Sequence, residues 1–301
     1  MVLNIHAGHC PHDKGSNGAI GFLTESIENR IVTKELIQIF QIFGDTVYDC
    51  TCDENVSAQE CLCIIERRSK KHDVDLNISI HLNSSRNQSE FNNSSGCEVI
   101  TKGDNINIDK LANDISKEIS NELKIPNRGL CHRSNLYLIN NIEGTILIEC
   151  CFVDNQDDVQ KWDPIRCANA IYKGITGKNA YGWIEKSNGF LYRNSDGTIP
   201  RDELKKIDRC HYYFNRDGYM VSSTWITYND NNYYFKEDGK MATGWVNIDN
   251  NWYFFNNNGI MIKDSWIGNF YLKENGQMAR DETLVIPQTY TFDKNGNMTK
   301  L

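Results

Sequence analysis

From Tyr181 onward the chain repeats itself, and no other feature restricts its folding as tightly. Six Asp-Gly or Asn-Gly pairs end at Gly197, Gly218, Gly239, Gly259, Gly276 and Gly296, at intervals of 21, 21, 20, 17 and 20 residues. An aromatic run precedes each, from Phe190-Leu191-Tyr192 to Tyr290-Thr291-Phe292, and Met stands two places after five of the six glycines. Alternating aromatics that end in Asp-Gly or Asn-Gly signal a tight hairpin. A hairpin of about twenty residues cannot bury an apolar face alone, so such units stack into a solenoid. Residues 181–301 are therefore expected to form about six stacked hairpins. Each opens on an aromatic or aliphatic residue (Trp183, Ile207, Trp225, Trp245, Trp266, Leu284), and Met220, Met241, Met261, Met278 and Met298 fill the space between hairpins.

The first 178 residues follow another plan. Residues 2–6, 45–48, 76–81, 97–101, 136–139 and 145–155 carry the β-branched and aliphatic runs of buried strands. Between them, residues 24–43, 57–70, 108–123 and 157–175 place apolar side chains at helical period, with Thr24 positioned to cap the first helix. Strands alternating with helices predict an α/β domain with a twisted, mostly parallel sheet covered on both faces. The expected fold class is thus α/β followed by an all-β solenoid, divided into residues 1–178 and 181–301 with a short join.

Within the stretch TILIECCFVDN, Glu149 is a carboxylate on an otherwise apolar strand, a costly placement unless it is paired or used. One reading pairs it with a structural arginine such as Arg128. The other makes it a catalytic acid/base beside a metal. Two strands end on or run into histidine: 2–6 leads into Ala7-Gly8-His9, and 76–81 ends on His81. Functional groups of α/β proteins gather at the carboxyl ends of strands. Glu25 falls in the first turn of the first helix, near the loop that carries His9. Two neutral imidazoles and one carboxylate match a catalytic zinc with a fourth position open to water, and a nearby carboxylate can move the proton.

The order Gly8-His9, Glu25 with Asn29, Ser79-Ile80-His81-Leu82-Asn83, Arg128-Gly129-Leu130, and Leu147-Ile148-Glu149 with Phe152 and Asn155 resembles the zinc-dependent N-acetylmuramoyl-L-alanine amidases that degrade peptidoglycan. The resemblance spans residues 2 to 178. It implies one catalytic Zn2+ held by His9, Glu25 and His81, with Glu149 as acid/base in hydrolysis of the amide between muramic acid and L-alanine. Glu28 is the rival for the carboxylate ligand, but Glu25 fits the step to Asn29. Thr145, Cys150 and Cys151 depart from the family pattern without touching a ligand position. The Ser/Asn-rich segment 84–95 either shapes the substrate groove or is an idle insertion.

The units TWITYNDNNYYFKEDGKM and GWVNIDNNWYFFNNNGIM resemble the choline-binding, or cell-wall-binding, repeats of bacterial wall hydrolases. In that family an opening Trp, the first hairpin aromatic and an aromatic of the next repeat cage a quaternary ammonium by cation–π attraction. Aligned on the glycines, the best cage is Trp245 and Trp252 with Tyr271, and the second is Trp183 and Phe190 with Tyr213. Trp225 lacks a partner because Asn232 stands in the slot.

Net charge of −8 and a pI near 5.4 argue against a nucleic-acid partner. No apolar run is long enough to span a bilayer, and no signal peptide is legible at MVLNIHAGH, which suits synthesis in the cytoplasm and action at the bacterial wall after lysis or non-classical export. The chain has 11 cysteines, an odd number. Cys50 with Cys52 and Cys61 with Cys63 lack the spacing of a zinc knuckle, and Cys150-Cys151 suits a reduced core. The expected partners are peptidoglycan and a choline-bearing or other wall polymer, with self-association through the repeats compatible with this organisation. Two alternatives remain open on the residues: a wall-adhesion protein with an inactive amidase half, and a cysteine peptidase using Cys10 beside His9 or Cys131 beside His132.

Overall fold

The computed structural model describes residues 1–11, 16–85, 94–286 and 288–300. Most of the segment 84–95 therefore lies outside the described residues. The chain forms two compact units, one of Met1–Gly182 with Arg193–Thr198, the other of Trp183–Tyr192 with Ile199–Leu301.

In the first unit the strands are β1 (Val2–Ala7), β2 (Thr46–Asp49), β3 (Leu76–Asn83), β4 (Cys97–Thr101), β5 (Asn127–His132) and β6 (Thr145–Phe152), ordered β2-β1-β3-β6-β4-β5. Every pairing is parallel except β4 with β6. The helices are α1 (Glu25–Ile42), α2 (Ala58–Ser69), α3 (Ile106–Leu123), α4 (Tyr137–Asn141), α5 (Gln156–Lys161) and α6 (Pro164–Thr176). Apolar faces of α1 (Val32, Leu36, Ile39, Phe40), α3 (Ala112, Ile115, Ile119) and α6 (Ala168, Ile171, Tyr172) bury Leu3, Ile5, Ile78, Ile80, Ile146 and Ile148 on one face of the sheet. On the other face, Asn4 Nδ2 donates to Ser69 O of α2, and Ile139 of α4 packs on Ile100 and Leu147. Alternation along each strand separates these two sets.

Three expectations for the first unit need correction. Residues 136–139 lie at the start of α4 and not in a strand; a four-residue apolar run does not distinguish the two states, and Leu138 and Ile139 are buried equally well from a helix. The expected helix over 157–175 is two helices. Asp163 caps the second through Ile165 N and Arg166 N, and Pro164 at its first turn cannot continue α5 because it lacks an N–H and holds Asp163 extended. Thr24 occupies the N-cap of α1, but its side chain makes no capping hydrogen bond.

The second unit is a series of antiparallel pairs: β7 (Gly182–Lys186) with β8 (Gly189–Arg193), β9 (Glu203–Ile207) with β10 (Cys210–Phe214), β11 (Thr224–Tyr228) with β12 (Asn231–Phe235), β13 (Gly244–Ile248) with β14 (Asn251–Phe255), β15 (Ser265–Ile267) with β16 (Phe270–Leu272), and β17 (Glu282–Ile286) with β18 (Gln288–Phe292) and β19 (Met298–Lys300). The strand-joining turns are not at the Asp-Gly or Asn-Gly pairs. They sit at residues such as Asn229-Asp230 and Asp249-Asn250, with φ of 48° and 60°, and 49° and 64°. Asn and Asp tolerate the left-handed region that a two-residue hairpin turn demands. The Asp-Gly and Asn-Gly pairs instead reverse the chain after the second strand, closing bridges such as Phe235 with Met241 and Phe255 with Met261.

Stacking explains the joint Gly and Met period. A Cβ on Gly239 would lie 2.2 Å from Met220 Sδ, on Gly259 2.3 Å from Met241 Sδ, and on Gly276 2.4 Å from Met261 Sδ. Each Met thus covers the glycine of the following repeat.

Candidate functional site

The carboxyl ends of β1, β3 and β6 meet at one edge of the sheet, and register aligns their residues. Ala7 pairs with Ile80, His81 with Glu149, and Glu149 on its other side with Glu98 of β4. Gly8 extends β1 by donating its N–H to Ile80 O at 2.9 Å. A Cβ on Gly8 would lie 2.0 Å from His81 Cε1, so the missing side chain leaves the space that the imidazole fills. The backbone then turns at His9, with φ of 62°.

Glu25, in the first turn of α1, is brought to both histidines. Its Oε1 is 2.9 Å from His81 Nδ1 and 3.3 Å from His9 Nε2, and it accepts from Leu82 N at 3.2 Å. Its Oε2 accepts from Ala19 N at 2.7 Å. One donor atom from each of His9, Glu25 and His81 lies within 4.8 Å of the others, a group able to hold a metal ion. Gly18 lines the same space: its Cβ would fall 2.5 Å from Glu25 Oε2 and 2.7 Å from His9 Cδ2. Burial alone would raise the Glu25 carboxyl, but its bonds to His81 and His9 outweigh that and hold it below the ordinary carboxylate range. Burial pushes His81 down, toward the neutral imidazole that a metal requires. Glu28 is turned elsewhere, its Oε2 accepting from Trp162 Nε1 at 2.8 Å.

The loop is held from below. Asn29 Nδ2 donates to Gly8 O at 2.9 Å, and Arg30 donates to His9 O at 3.0 Å and to Cys52 O at 2.8 Å.

Glu149 stands next to this group with its Oε2 buried and without a hydrogen-bond partner among the described residues. Burial pushes its carboxyl up to about 8, with the charges of Glu25 and Glu98 adding and Arg133 opposing. It does not pair with Arg128, which lies 3.6 Å from Glu98 Oε2 and over the Phe152 ring at 5.2 Å. Glu98 also accepts from Arg133 at 3.0 Å and Asn83 at 3.1 Å.

Glu98 and His6 escaped the sequence reading. Glu98 had the same signal as Glu149, a lone carboxylate inside an apolar strand (CEVIT). His6 is fully buried with neither ring nitrogen partnered among the described residues, and burial, helped by His81, lowers it to about 3. Nothing in its sequence setting distinguishes it from a strand core residue.

The thiol–imidazole arrangements do not form. Cys10 is buried with Sγ donating to Val56 O at 3.4 Å, and His132 Nε2 lies 3.0 Å from Asp109.

In the repeats, Trp245, Trp252, Phe270, Met278, Arg280, Lys294 and Asn295 line a cavity of about 410 Å³. Trp252 is 39% exposed, and the Trp245 and Phe270 rings meet edge to face at 5.4 Å. The structure brings Trp245 and Trp252 together with Phe270 rather than Tyr271, which is buried, donates to Asp264 and packs with Ala279 and Phe292. The same offset recurs at the other predicted cage. Trp183 meets Tyr212 at 4.9 Å, whereas Tyr213 packs against Tyr228 and Phe235; Phe190 is 40% exposed. Neighbours along a strand face opposite ways, so a one-residue misalignment exchanges lining for core. Trp225, whose hairpin slot holds Asn232, packs on Tyr234 and Tyr253.

Fold and site together define a class: an α/β unit with a metal-capable His/Glu/His group at the carboxyl edge of its sheet, joined in sequence to stacked aromatic hairpins. The chain belongs to the N-acetylmuramoyl-L-alanine amidase family, whose profile matches residues 3–177, and the choline-binding repeat profile matches residues 202–243, 221–266 and 242–282. The catalytic domain of an endolysin targeting Clostridia difficile is similar in structure, with a TM-score of 0.53, 26% identity, and coverage of 60% of this chain and 98% of that one. An uncharacterized protein of Clostridium perfringens is 29% identical over 164 residues, 53% of this chain and 46% of its own length. A lysin of Pneumococcus phage Dp-1 is 39% identical over 53 residues, 17% of this chain and 18% of its own. The chain thus spans about half or less of the length of these curated relatives. No helix among the described residues is long and apolar enough to cross a membrane.

Proposed function

We propose that this chain is a zinc-dependent peptidoglycan amidase that cleaves the bond between N-acetylmuramic acid and L-alanine, carried to the bacterial wall by its repeats. Residues 1–178 are the catalytic part and residues 181–301 the wall-binding part. The observation that carries the reading is the convergence of donor atoms of His9, Glu25 and His81 within 4.8 Å, beside a Glu149 whose Oε2 is buried and has no partner among the described residues.

The donor set fits zinc. Two imidazoles and one carboxylate leave a fourth position open, and Gly8 and Gly18 clear the volume around them. Glu25, held ionised by its bonds to His81 and His9, supplies the negative charge that a divalent cation offsets. When bound, zinc polarises the scissile carbonyl and lowers the pKa of the attacking water. Glu149 takes the water proton on Oε2 and passes it to the departing L-alanine nitrogen, so one carboxyl serves as base and then acid. A carboxyl raised toward neutrality by burial suits both halves of that transfer. Glu98, held by Arg133 and Asn83, fixes charge beside it and keeps Arg133 from neutralising it fully.

On the repeats, the Trp245, Trp252 and Phe270 walls suit a quaternary ammonium of a choline-bearing polymer, and Arg280 and Lys294 in the same lining suit an anionic group beside it. Mass analysis of fragments released from purified peptidoglycan tests the assignment. New free L-alanine amino ends are expected; new reducing sugar ends, or no release, overturn it.

A further inference from the structure

Apart from the His9, Glu25 and His81 group, one other cluster among the described residues has donor atoms close enough to share a metal ion. The Sγ atoms of Cys10, Cys52 and Cys61 lie within 4.8 Å of one another, and all three side chains are buried. They come from three places in the chain: the loop after β1, the segment after β2, and the second turn of α2. That origin explains why spacing in sequence gave no hint of them, since a knuckle motif is local and this cluster is assembled by the fold.

A thiol cluster of this kind needs a reason. Ile64, Ile65, Leu138 and Ile142 surround it and would pack as well on aliphatic side chains. Three sulfurs also cannot be consumed by one disulfide. Donors at about 2.3 Å from a shared ion lie about 3.7 Å from one another, so the present separations close with small side-chain rotations. The nearest carboxylate is Glu54, on the solvent side: its Oε2 accepts from Cys52 Sγ at 3.2 Å and its Oε1 from Arg68 at 2.8 Å, so it touches one member of the cluster and would swing inward to become a fourth donor.

We propose that Cys10, Cys52 and Cys61, completed by the Glu54 carboxylate, form a second site that binds zinc structurally. On binding, each thiol gives its proton to solvent and three thiolates with one carboxylate make a closed tetrahedral set. With no position left for water or substrate, the ion holds chain segments together and does no chemistry. The segments it joins matter to the active site, because Cys10 directly follows His9. Arg30 already ties the same two stretches through the His9 and Cys52 carbonyls. The second ion thereby braces the loop that presents His9.

Cobalt(II) and zinc loading of the full chain, purified reduced, tests this. Two zinc ions per chain are expected by elemental mass spectrometry. Cobalt(II) should give thiolate-to-metal charge-transfer absorption in the near ultraviolet, which imidazole and carboxylate ligands cannot produce. His81→Ala should keep that absorption while losing one ion. Cys52→Ser with Cys61→Ser should abolish it and lose the other ion. If that double variant does not fold, Glu54→Gln decides: the absorption persists, but cobalt is stripped at lower chelator concentration. A single zinc per wild-type chain, cobalt loading without charge transfer, or an unchanged spectrum and chelator profile in Glu54→Gln overturns the four-ligand site. The amidase assignment stands or falls separately, on the peptidoglycan fragments.

Discussion

His81 and Glu149 face one another in register across the parallel strands β3 and β6, so the ligand candidate and the proposed proton carrier are fixed by the same ladder. Glu149 need not bind metal to do its work. Glu149→Gln is therefore expected to retain the fold and the active-site metal while losing roughly two to four orders of magnitude in turnover. Elemental analysis alongside a wall-degradation assay checks this, and near-normal turnover would remove Glu149 from the mechanism.

A pH dependence of stability follows from the same carboxyl. In the metal-free chain its pKa is raised from 4.5 to about 8, mainly by burial. Folding then favours the protonated form. The stability contributed is complete below 4.5 and is lost as pH rises through about 8. Chelated wild-type protein should accordingly lose thermal stability between about pH 5 and about pH 9 relative to Glu149→Gln, which has no such titration. Adding zinc should shrink the difference, because a cation favours the ionised carboxylate. Parallel slopes for the two chelated proteins would contradict the raised pKa.

Gly18 tests whether the space around Glu25 is built for a ligand. Its φ of +74° and its approach to Glu25 Oε2 and His9 Cδ2 leave no room for a methyl group. Gly18→Ala should lower active-site zinc affinity roughly 10- to 100-fold, as displaced supporting groups do at metal sites. Gly44→Ala is the control, since Gly44 has φ of +94° but nothing within 4 Å, so it should strain the backbone and spare the metal. Competition with a chromophoric chelator measures both.

The stacking of Met on Gly is open to a double-mutant cycle. Gly259→Ala places a left-handed alanine against Met241 Sδ, whereas Gly244, at φ +70°, has open space. Both should cost about 1–2 kcal/mol for the backbone, and Gly259→Ala more. Met241→Ala should remove that excess and leave the backbone cost. Equal costs at the two glycines in denaturant unfolding would mean that Met241 yields freely.

Much of the fold was legible because its signals are periodic. The repeat glycines, the aromatic runs and the β-branched strands each report a local requirement that holds whatever the rest of the chain does. Glu149 was legible for a related reason, as a charge where the pattern calls for apolar residues. The failures are of another kind. Residues 136–139 are too few to separate helix from strand, and Pro164 starts a helix that apolar periodicity alone does not mark off from the one before it. Cys10, Cys52 and Cys61 meet only through tertiary structure, which no spacing rule reports. The cage aromatics failed on parity: alignment on glycines counted residues correctly but did not say which face of the strand each occupies.

That parity error yields the sharpest test in the repeats. Phe270 walls the cavity with Trp245 and Trp252, while Tyr271, next in sequence, is 6% exposed and donates to Asp264 in its own hairpin. Aromatic faces that enclose a quaternary ammonium contribute about 0.5–2 kcal/mol each. Phe270→Ala should thus weaken retention on choline-bearing walls, or shift elution to lower choline concentration, by a few-fold to about thirtyfold. Trp252→Ala should do the same. Tyr271→Phe keeps the ring, removes only the hydroxyl and should leave retention unchanged while lowering thermal stability by about 1 kcal/mol. Thermal melts separate binding loss from unfolding. If Tyr271→Phe releases the protein from walls and Phe270→Ala does not, the cage uses the other face of β16.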